Sequence, residues 1–294
     1  MNKLWHHPLL VVTAASCSVG GAFFLGLVLV ALTWAPAAPI QTQTVALDPS
    51  ALAARAAVLY DPGAHTILYQ KDSAEQLPLA SLTKLMAARA VLSARSPQTS
   101  VRITEQDLAP EGDWGLRVGD TLTLGALLHL GLVASSNDAM AAAAASLGND
   151  YTKAMDITAQ DLGLSKAYFL NSTGLDLNSE ISGAYGSALD VALLTAAFYK
   201  EYPQFFELTS QPTVSVEDGS RTLTAEATTR PLQNLAGFVG AKTGYTDLAG
   251  GNLAAVVDLW PGHPVVAVVL HSSEAGRFND IKTLIAAARS TFSP

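Results

Sequence analysis

Charge, cysteine and clustered basic residues are what this 294-residue chain has least of. Lys, Arg, Asp and Glu together supply 14% of it, against about 25% in an average soluble protein. Hydrophobic residues reach 49% and mean hydropathy is +0.28, so part of the chain is expected to meet lipid. The shortage is partly local, because Lys3 and Asp48 are the only charged side chains from Met1 to Leu52. It is also general, because the rest is Ala-rich and still poor in charge, although long enough to bury a sizeable core unaided. A net charge of −8 without a run of Lys or Arg argues against nucleic acid as a partner, since phosphate contacts need clustered cations. The single cysteine, Cys17, cannot form an internal disulfide. The apolar run continues far beyond it, unlike a lipoprotein cleavage site. The six histidines are scattered, with neither H-E-x-x-H nor a cysteine pair, so no metal and no cofactor is expected. A Ser-His-Asp hydrolase is disfavoured too: the nearest approach to Gly-x-Ser-x-Gly, around Ser146, has Ala144 in place of the first glycine.

What is present begins with an uncharged run of 26 residues, Leu9 to Trp34. As a helix it would be about 39 Å long, enough to cross a hydrocarbon core of ~30 Å. A secretory signal needs only about 7–15 apolar residues before its cleavage site. The run is therefore expected to be a retained transmembrane helix, with cleavage near Ala35-Pro36-Ala37 and secretion as the alternative. Lys3 and the α-amino group precede it, and no basic residue follows until Arg55, which keeps the amino end in the cytoplasm and the body outside. The expected organisation is a cytoplasmic segment over 1–8, the anchor over 9–34, a Pro-containing linker over 35–54 and one globular domain over 55–294.

Within that domain, Ala56–Tyr60 and His65–Gln70 are apolar, strand-forming runs around the turn sequence Asp61-Pro62-Gly63-Ala64, which predicts a hairpin. Helical periodicity follows over Leu82–Leu92, Thr123–Val133, Asp138–Leu147, Tyr151–Leu162 and Ala188–Glu201. Ala236–Tyr245, Asn252–Asp258 and Val265–His271 then read as strands, and Arg277–Phe292 as a closing helix. Strands at both ends around a helical middle predict an α/β (α+β) fold: one antiparallel sheet built from both chain ends, flanked by helices, with an all-helical insertion.

Three short patterns carry chemistry. Ser81-Leu82-Thr83-Lys84 puts a serine and a lysine one helical turn apart on one face, and a lysine that has lost its proton can activate a serine. Alone, the spacing is expected about once by chance in a chain of this length, and a helix cap with a solvated lysine would explain it. Ser135-Ser136-Asn137, between two apolar helices, and Lys242-Thr243-Gly244, in a strand candidate, follow in order. This trio belongs to penicillin-binding proteins and class A β-lactamases. Gly237 to Thr243 looks superficially like a phosphate loop, but Ala241 precedes the lysine and no helix follows.

With these motifs the chain resembles the low-molecular-mass penicillin-binding proteins, the D-alanyl-D-alanine carboxypeptidases of serine peptidase family S11, from about Ala56 to Arg289. The likeness extends to Leu79–Met86, Ser135–Ala139, Phe169–Asp176 and Gly240–Asp247. It implies a β-lactamase/DD-peptidase-like fold, the peptidoglycan stem peptide as substrate and β-lactams as covalent inhibitors. It also implies that Ser81 is the acylated nucleophile, Lys84 its base, and Ser135 a proton relay. Asn137 would hold the substrate backbone, and Lys242 and Thr243 the terminal carboxylate. Gly244 would let the substrate lie along the strand, and the amides of Ser81 and Tyr245 would form the oxyanion hole. Lys84 can be neutral at pH 7 only if burial and a nearby cation, Lys242, depress its pKa. A D-Ala cross-link endopeptidase would use the same residues. A β-lactamase is disfavoured because Glu180 lacks the flanking pattern that positions a deacylating water, and a non-catalytic penicillin sensor because Ser81, Lys84 and Lys242 are intact. The chain stops soon after Arg289, so anchoring is expected from its N-terminal span.

Overall fold

The computed structural model describes residues 14–19, 22–27, 41–42, 45–112, 115–218 and 221–292. The chain divides into two units, Met1–Pro39 and Ile40–Pro294. In the first, β1 (Ala14–Val19) pairs antiparallel with β2 (Ala22–Leu27). This differs from the transmembrane helix expected over 9–34, the rest of which lies outside the described residues. Gly20-Gly21 separates the two strands in sequence, the dipeptide type that favours a tight hairpin turn. Each glycine also costs a helix interior about 1 kcal/mol. No helix among the described residues is long and apolar enough to cross a membrane.

The second unit is organised by a six-stranded sheet. Its strands are β3 (Gln41–Thr42), β4 (Ala56–Asp61), β5 (Thr66–Lys71), β13 (Phe238–Thr246), β14 (Gly250–Asp258) and β15 (Pro264–Ser272), in the order β13-β14-β15-β4-β5-β3. Both chain ends therefore build one sheet, as the strand pattern predicts. All its pairings are antiparallel except that of β3 with β5, which is parallel. Residues expected to be linker contribute to it: besides β3, Val45, Leu52 and Ala54 are buried, because the sheet's outer face leaves apolar surface for them to cover.

Strand periodicity splits the sheet's side chains between two cores. Ala57, Leu59, Leu253, Ala255 and Val257 face α7 (Gly276–Phe292) through Ile281, Leu284 and Ile285. Ala56, Val58, Ala254, Val256 and Val268 face the helical layer, which includes α1 (Thr83–Ala94), α2 (Leu124–Val133), α3 (Asn137–Ala145), α4 (Tyr151–Asp161) and α5 (Ala188–Glu201). Burial on both faces explains why these strands read as continuous apolar runs. Ser187 and Asp190 cap α5 reciprocally, each side chain bonding the other's backbone N–H.

Short polar strands are absent from the sequence expectations: β6 (Leu77–Pro78), β7 (Ser100–Arg102), β8 (Thr121–Thr123), β9 (Tyr168–Phe169), β10 (Ala184–Gly186) and the hairpin β11 (Thr213–Glu217) with β12 (Thr222–Glu226). The two- and three-residue strands carry too little alternation to be seen, and tertiary context decides them; β11 and β12 run to five residues each, and β11 alternates exposed and buried positions. A short helix, α6 (Pro203–Glu207), completes the set.

Candidate active site

The chain turns sharply into α1 at the first motif. Ala80 adopts φ +48°, an uncommon conformation for a residue with a side chain, and residues 80–82 form a 3-10 turn that leads into the helix. Thr83 Oγ1 donates to Ala80 O at 2.7 Å and holds the turn closed. One turn later, the fully buried Lys84 brings its Nζ to 2.7 Å from Ser81 Oγ, 2.7 Å from Asn137 Oδ1 and 3.0 Å from Thr173 O. The last two partners can only accept. A neutral amine has two N–H donors for them and one lone pair left for the Ser81 hydroxyl proton, which is the bonding pattern of a general base. Burial pushes the Lys84 pKa down to about 7, so near neutrality this form is populated.

The second motif lies between α2 and α3. Ser135 adopts φ +60°, and Ser136 caps α3 by accepting from Ala139 N. The turn leaves the Ser135 hydroxyl 2.8 Å from Lys242 Nζ. Asn137 Nδ2 donates to Glu111 O at 2.5 Å while its Oδ1 accepts from Lys84. The amide is thus engaged at both ends, although one N–H remains to meet a substrate. No hydrogen bond joins Ser135 to Lys84 among the described residues. Ser81, Lys84 and Asn137 form one network, and Ser135 and Lys242 a second.

Lys242, also fully buried, lies on β13, the strand at the edge of the sheet. It donates to Thr243 O at 2.9 Å, and Thr243 Oγ1 donates to Thr228 Oγ1 at 2.6 Å. Burial first, then the charges of Lys84 and Arg277, hold the Lys242 pKa well below its usual value. Arg277 has Glu274 as an ion-pair partner at 3.8 Å, whereas the two buried lysines have no acidic partner among the described residues and cannot readily both stay charged. Because the Lys84 contacts match a neutral amine, the charge is better accommodated on Lys242.

Gly244 has a packing reason beyond an open path for substrate. A Cβ there would lie 3.0 Å from Leu79 O and 3.1 Å from Ser81 N, so its absence lets β13 press against the Ser81 turn. The exposed Tyr245 follows on the same strand, 49% accessible.

Several contributors were not singled out in the sequence. Asn171 folds the segment after β9: its Oδ1 accepts from Thr173 N and Gly174 N, and its Nδ2 donates to Leu175 O. This presents the Thr173 carbonyl to Lys84. Gly174, at φ +79°, abuts the Ser81 turn so closely that a Cβ would fall 1.8 Å from Ala80 O. Asp176 ties the same segment to the end of β13, accepting from Thr246 Oγ1 at 3.0 Å and Leu248 N at 3.2 Å. Buried Arg277, at the start of α7, donates from Nη1 to Gly244 O at 2.7 Å. The block Phe169–Asp176 was a visible signal for the first three residues. Arg277 stood in no pattern.

In sequence and fold the chain is similar to proteins of known family. The sequence profile of peptidase S11, D-alanyl-D-alanine carboxypeptidase, matches residues 41–274. The chain is 31% identical over 229 residues to the D-alanyl-D-alanine carboxypeptidase DacF of Bacillus subtilis, covering 73% of this chain and 57% of that protein. It is 30% identical over 244 residues to the D-alanyl-D-alanine endopeptidase of Escherichia coli, covering 78% of this chain and 74% of that one. Among solved structures, penicillin-binding protein D2 of Listeria monocytogenes in its ampicillin-bound form superposes with a TM-score of 0.69 at 29% identity, covering 80% of this chain and 97% of the other. The chain thus spans little more than half of its B. subtilis relative and about three quarters of the E. coli one. A trio of motifs, their joint geometry and a match over most of the length place this chain in the peptidase S11 family, the D-alanyl-D-alanine carboxypeptidases.

Proposed function

We propose that this chain is a serine D-Ala-D-Ala carboxypeptidase that removes the terminal D-alanine from peptidoglycan stem pentapeptides. The observation that carries the reading is the buried Lys84 amine 2.7 Å from Ser81 Oγ, with acceptors at its two other contacts. Lys84 takes the Ser81 proton as Oγ attacks the penultimate D-alanine carbonyl. The amides of Ser81 and Tyr245 receive the developing negative charge without reorganising. The C–N bond then breaks, and the departing amine takes a proton passed through Ser135 from the lysine pair. Water, activated by Lys84, hydrolyses the ester. The terminal carboxylate suits Lys242, which has used two of its three donors within the protein, and Thr243. That carboxylate would also fix the proton on Lys242 and so favour neutral Lys84. β-Lactams, which present a strained amide to the same serine, would acylate Ser81; the Listeria relative is known in an ampicillin-bound form.

Cross-link cleavage is a second reading, favoured by the larger share of the E. coli endopeptidase that the chain spans. The apolar run over residues 9–34 supports a location at the cytoplasmic membrane, with the catalytic unit on its outer side, and fractionation of cells expressing the full chain tests it. Recovery in the soluble fraction after a salt wash would overturn that location. For the activity, Ser81→Ala protein should not be labelled by fluorescent penicillin, whereas wild type should. Persistent labelling would sink the nucleophile assignment. Release of D-alanine from a pentapeptide, compared with cleavage of a cross-linked dimer, separates the two readings.

A further inference from the structure

A cavity of about 980 Å³ in the helical part of the molecule lies outside the catalytic assignment but shares a boundary with it. Thr173 lines the cavity, and its carbonyl is the acceptor that holds Lys84. Another boundary is β7, whose Ser100, Val101 and Arg102 all line the space. Among the described residues β7 pairs only with β8. In an antiparallel ladder, successive residues turn their N–H and C=O groups to opposite edges. Thr99 O accepts from Leu124 N at 2.9 Å, and Ile103 exchanges bonds with Asp120 O and Gly119 N at 2.8 and 2.9 Å, all on the β8 side. Ser100 and Arg102 therefore present their backbone groups along the opposite edge, where no strand among the described residues pairs.

The cavity is also positive, in a protein whose net charge is −8. Arg95 and Arg102 line it, and neither has an acidic partner among the described residues. The Arg95 Nε–H donates only to Ser146 O, at 3.2 Å. The one acid in the lining, Asp107, is buried in its own turn, its Oδ2 accepting from Thr104 N at 2.8 Å and Thr104 Oγ1 at 2.7 Å. An open strand edge beside two available guanidiniums is suited to an extended peptide that carries carboxylates.

We infer that this cavity binds a second peptidoglycan stem peptide, laid along the free edge of β7 with its carboxylates on Arg95 and Arg102. The identity of the occupant rests on the proposed function. A stem peptide fits the chemistry because it is short, has an amide backbone, and carries both a glutamyl α-carboxylate and a C-terminal carboxylate. Occupancy would reach the catalytic centre through Thr173, so the cavity serves a substrate in which two stems are held close together.

The test uses the full chain with Ser81 acylated by penicillin, so that the catalytic site is filled. Calorimetric titration with L-Ala-γ-D-Glu-L-Lys-D-Ala should show one site. The double variant Arg95→Ala/Arg102→Ala should bind roughly a hundredfold more weakly, about tenfold for each charge-assisted contact. Its own penicillin acylation should be unchanged, which also reports that it folds. Absence of binding to the acylated protein, or equal affinity of the double variant, would overturn the inference. So would equal affinity for an L-peptide of the same length and charge, since the cavity would then read acidity alone. Failure of penicillin to label Ser81 would count against the proposed function instead, and the titration would then be made on Ser81→Ala protein.

Discussion

Lys84 and Lys242 are among the largest fully buried side chains of the protein, yet their surroundings differ in kind. Lys84 is enclosed by an α-helix, an asparagine and a backbone carbonyl, and every direction around its nitrogen is occupied. Lys242 projects from an edge strand, has two internal partners and keeps one donor free. Burial lowers both pKa values. The difference in partners, not in burial, is what the proposed roles rest on: an amine facing two obligatory acceptors suits a neutral base, and one with a donor left free beside an open edge suits an anion-binding cation.

Replacing Lys84 breaks this comparison most severely. Lys84→Met should reduce the second-order rate of penicillin acylation by roughly 10³-fold, within the range for loss of a general base, measured by stopped-flow or gel labelling. A residual rate within tenfold of wild type would assign the base elsewhere. Lys242→Ala should lower acylation by roughly 10²-fold, because a charge-assisted contact to the ligand carboxylate is lost. In wild type, acylation should rise with pH through about 7 as Lys84 loses its proton, and a profile flat between pH 5.5 and 8.5 would contradict that assignment.

Gly244→Ala sharpens the contrast at lower amplitude. Its Cβ would crowd Leu79 O and Ser81 N, and overpacking of this kind costs about 1–3 kcal/mol. A drop of roughly tenfold in acylation is expected, with the pH midpoint unmoved because neither lysine changes its partners. A control on the far face of the sheet, Leu284→Ala, should cost about 2–5 kcal/mol of stability in thermal or denaturant unfolding. It should leave the acylation rate of the folded protein nearly unchanged.

The candidate site was legible in the sequence to the extent that it consists of side chains at short, fixed spacing. Ser81 and Lys84 sit one helical turn apart, so a local pattern places both on one face. The long helices and the five principal sheet strands were legible for a similar reason: their periodicity or apolar runs extend over many residues. Thr173 was not, because it serves through its carbonyl, which every residue possesses; only Asn171 folding the segment presents it. Arg277 was not, because it meets Gly244 across 33 positions of sequence. The apolar run at the amino end was read by length and hydropathy as a helix. Pairing of Ala14–Val19 with Ala22–Leu27 follows the Gly-Gly dipeptide, a turn signal that hydropathy alone does not weigh.

By itself the sequence determined the chemical inventory: a serine with a lysine one turn away, a second lysine in a strand, an acidic body and an apolar amino end. The resemblance assigned the two lysines different roles, but only the tertiary structure supplied a physical reason for the difference. Lys84 and Lys242 are the same residue type and equally buried. Their surroundings separate only when folding sets the Asn137 and Thr173 oxygens around one amine and leaves the other beside an unpaired sheet edge. A pKa and a donor count depend on neighbours brought together in space, and those neighbours come from segments far apart in the chain.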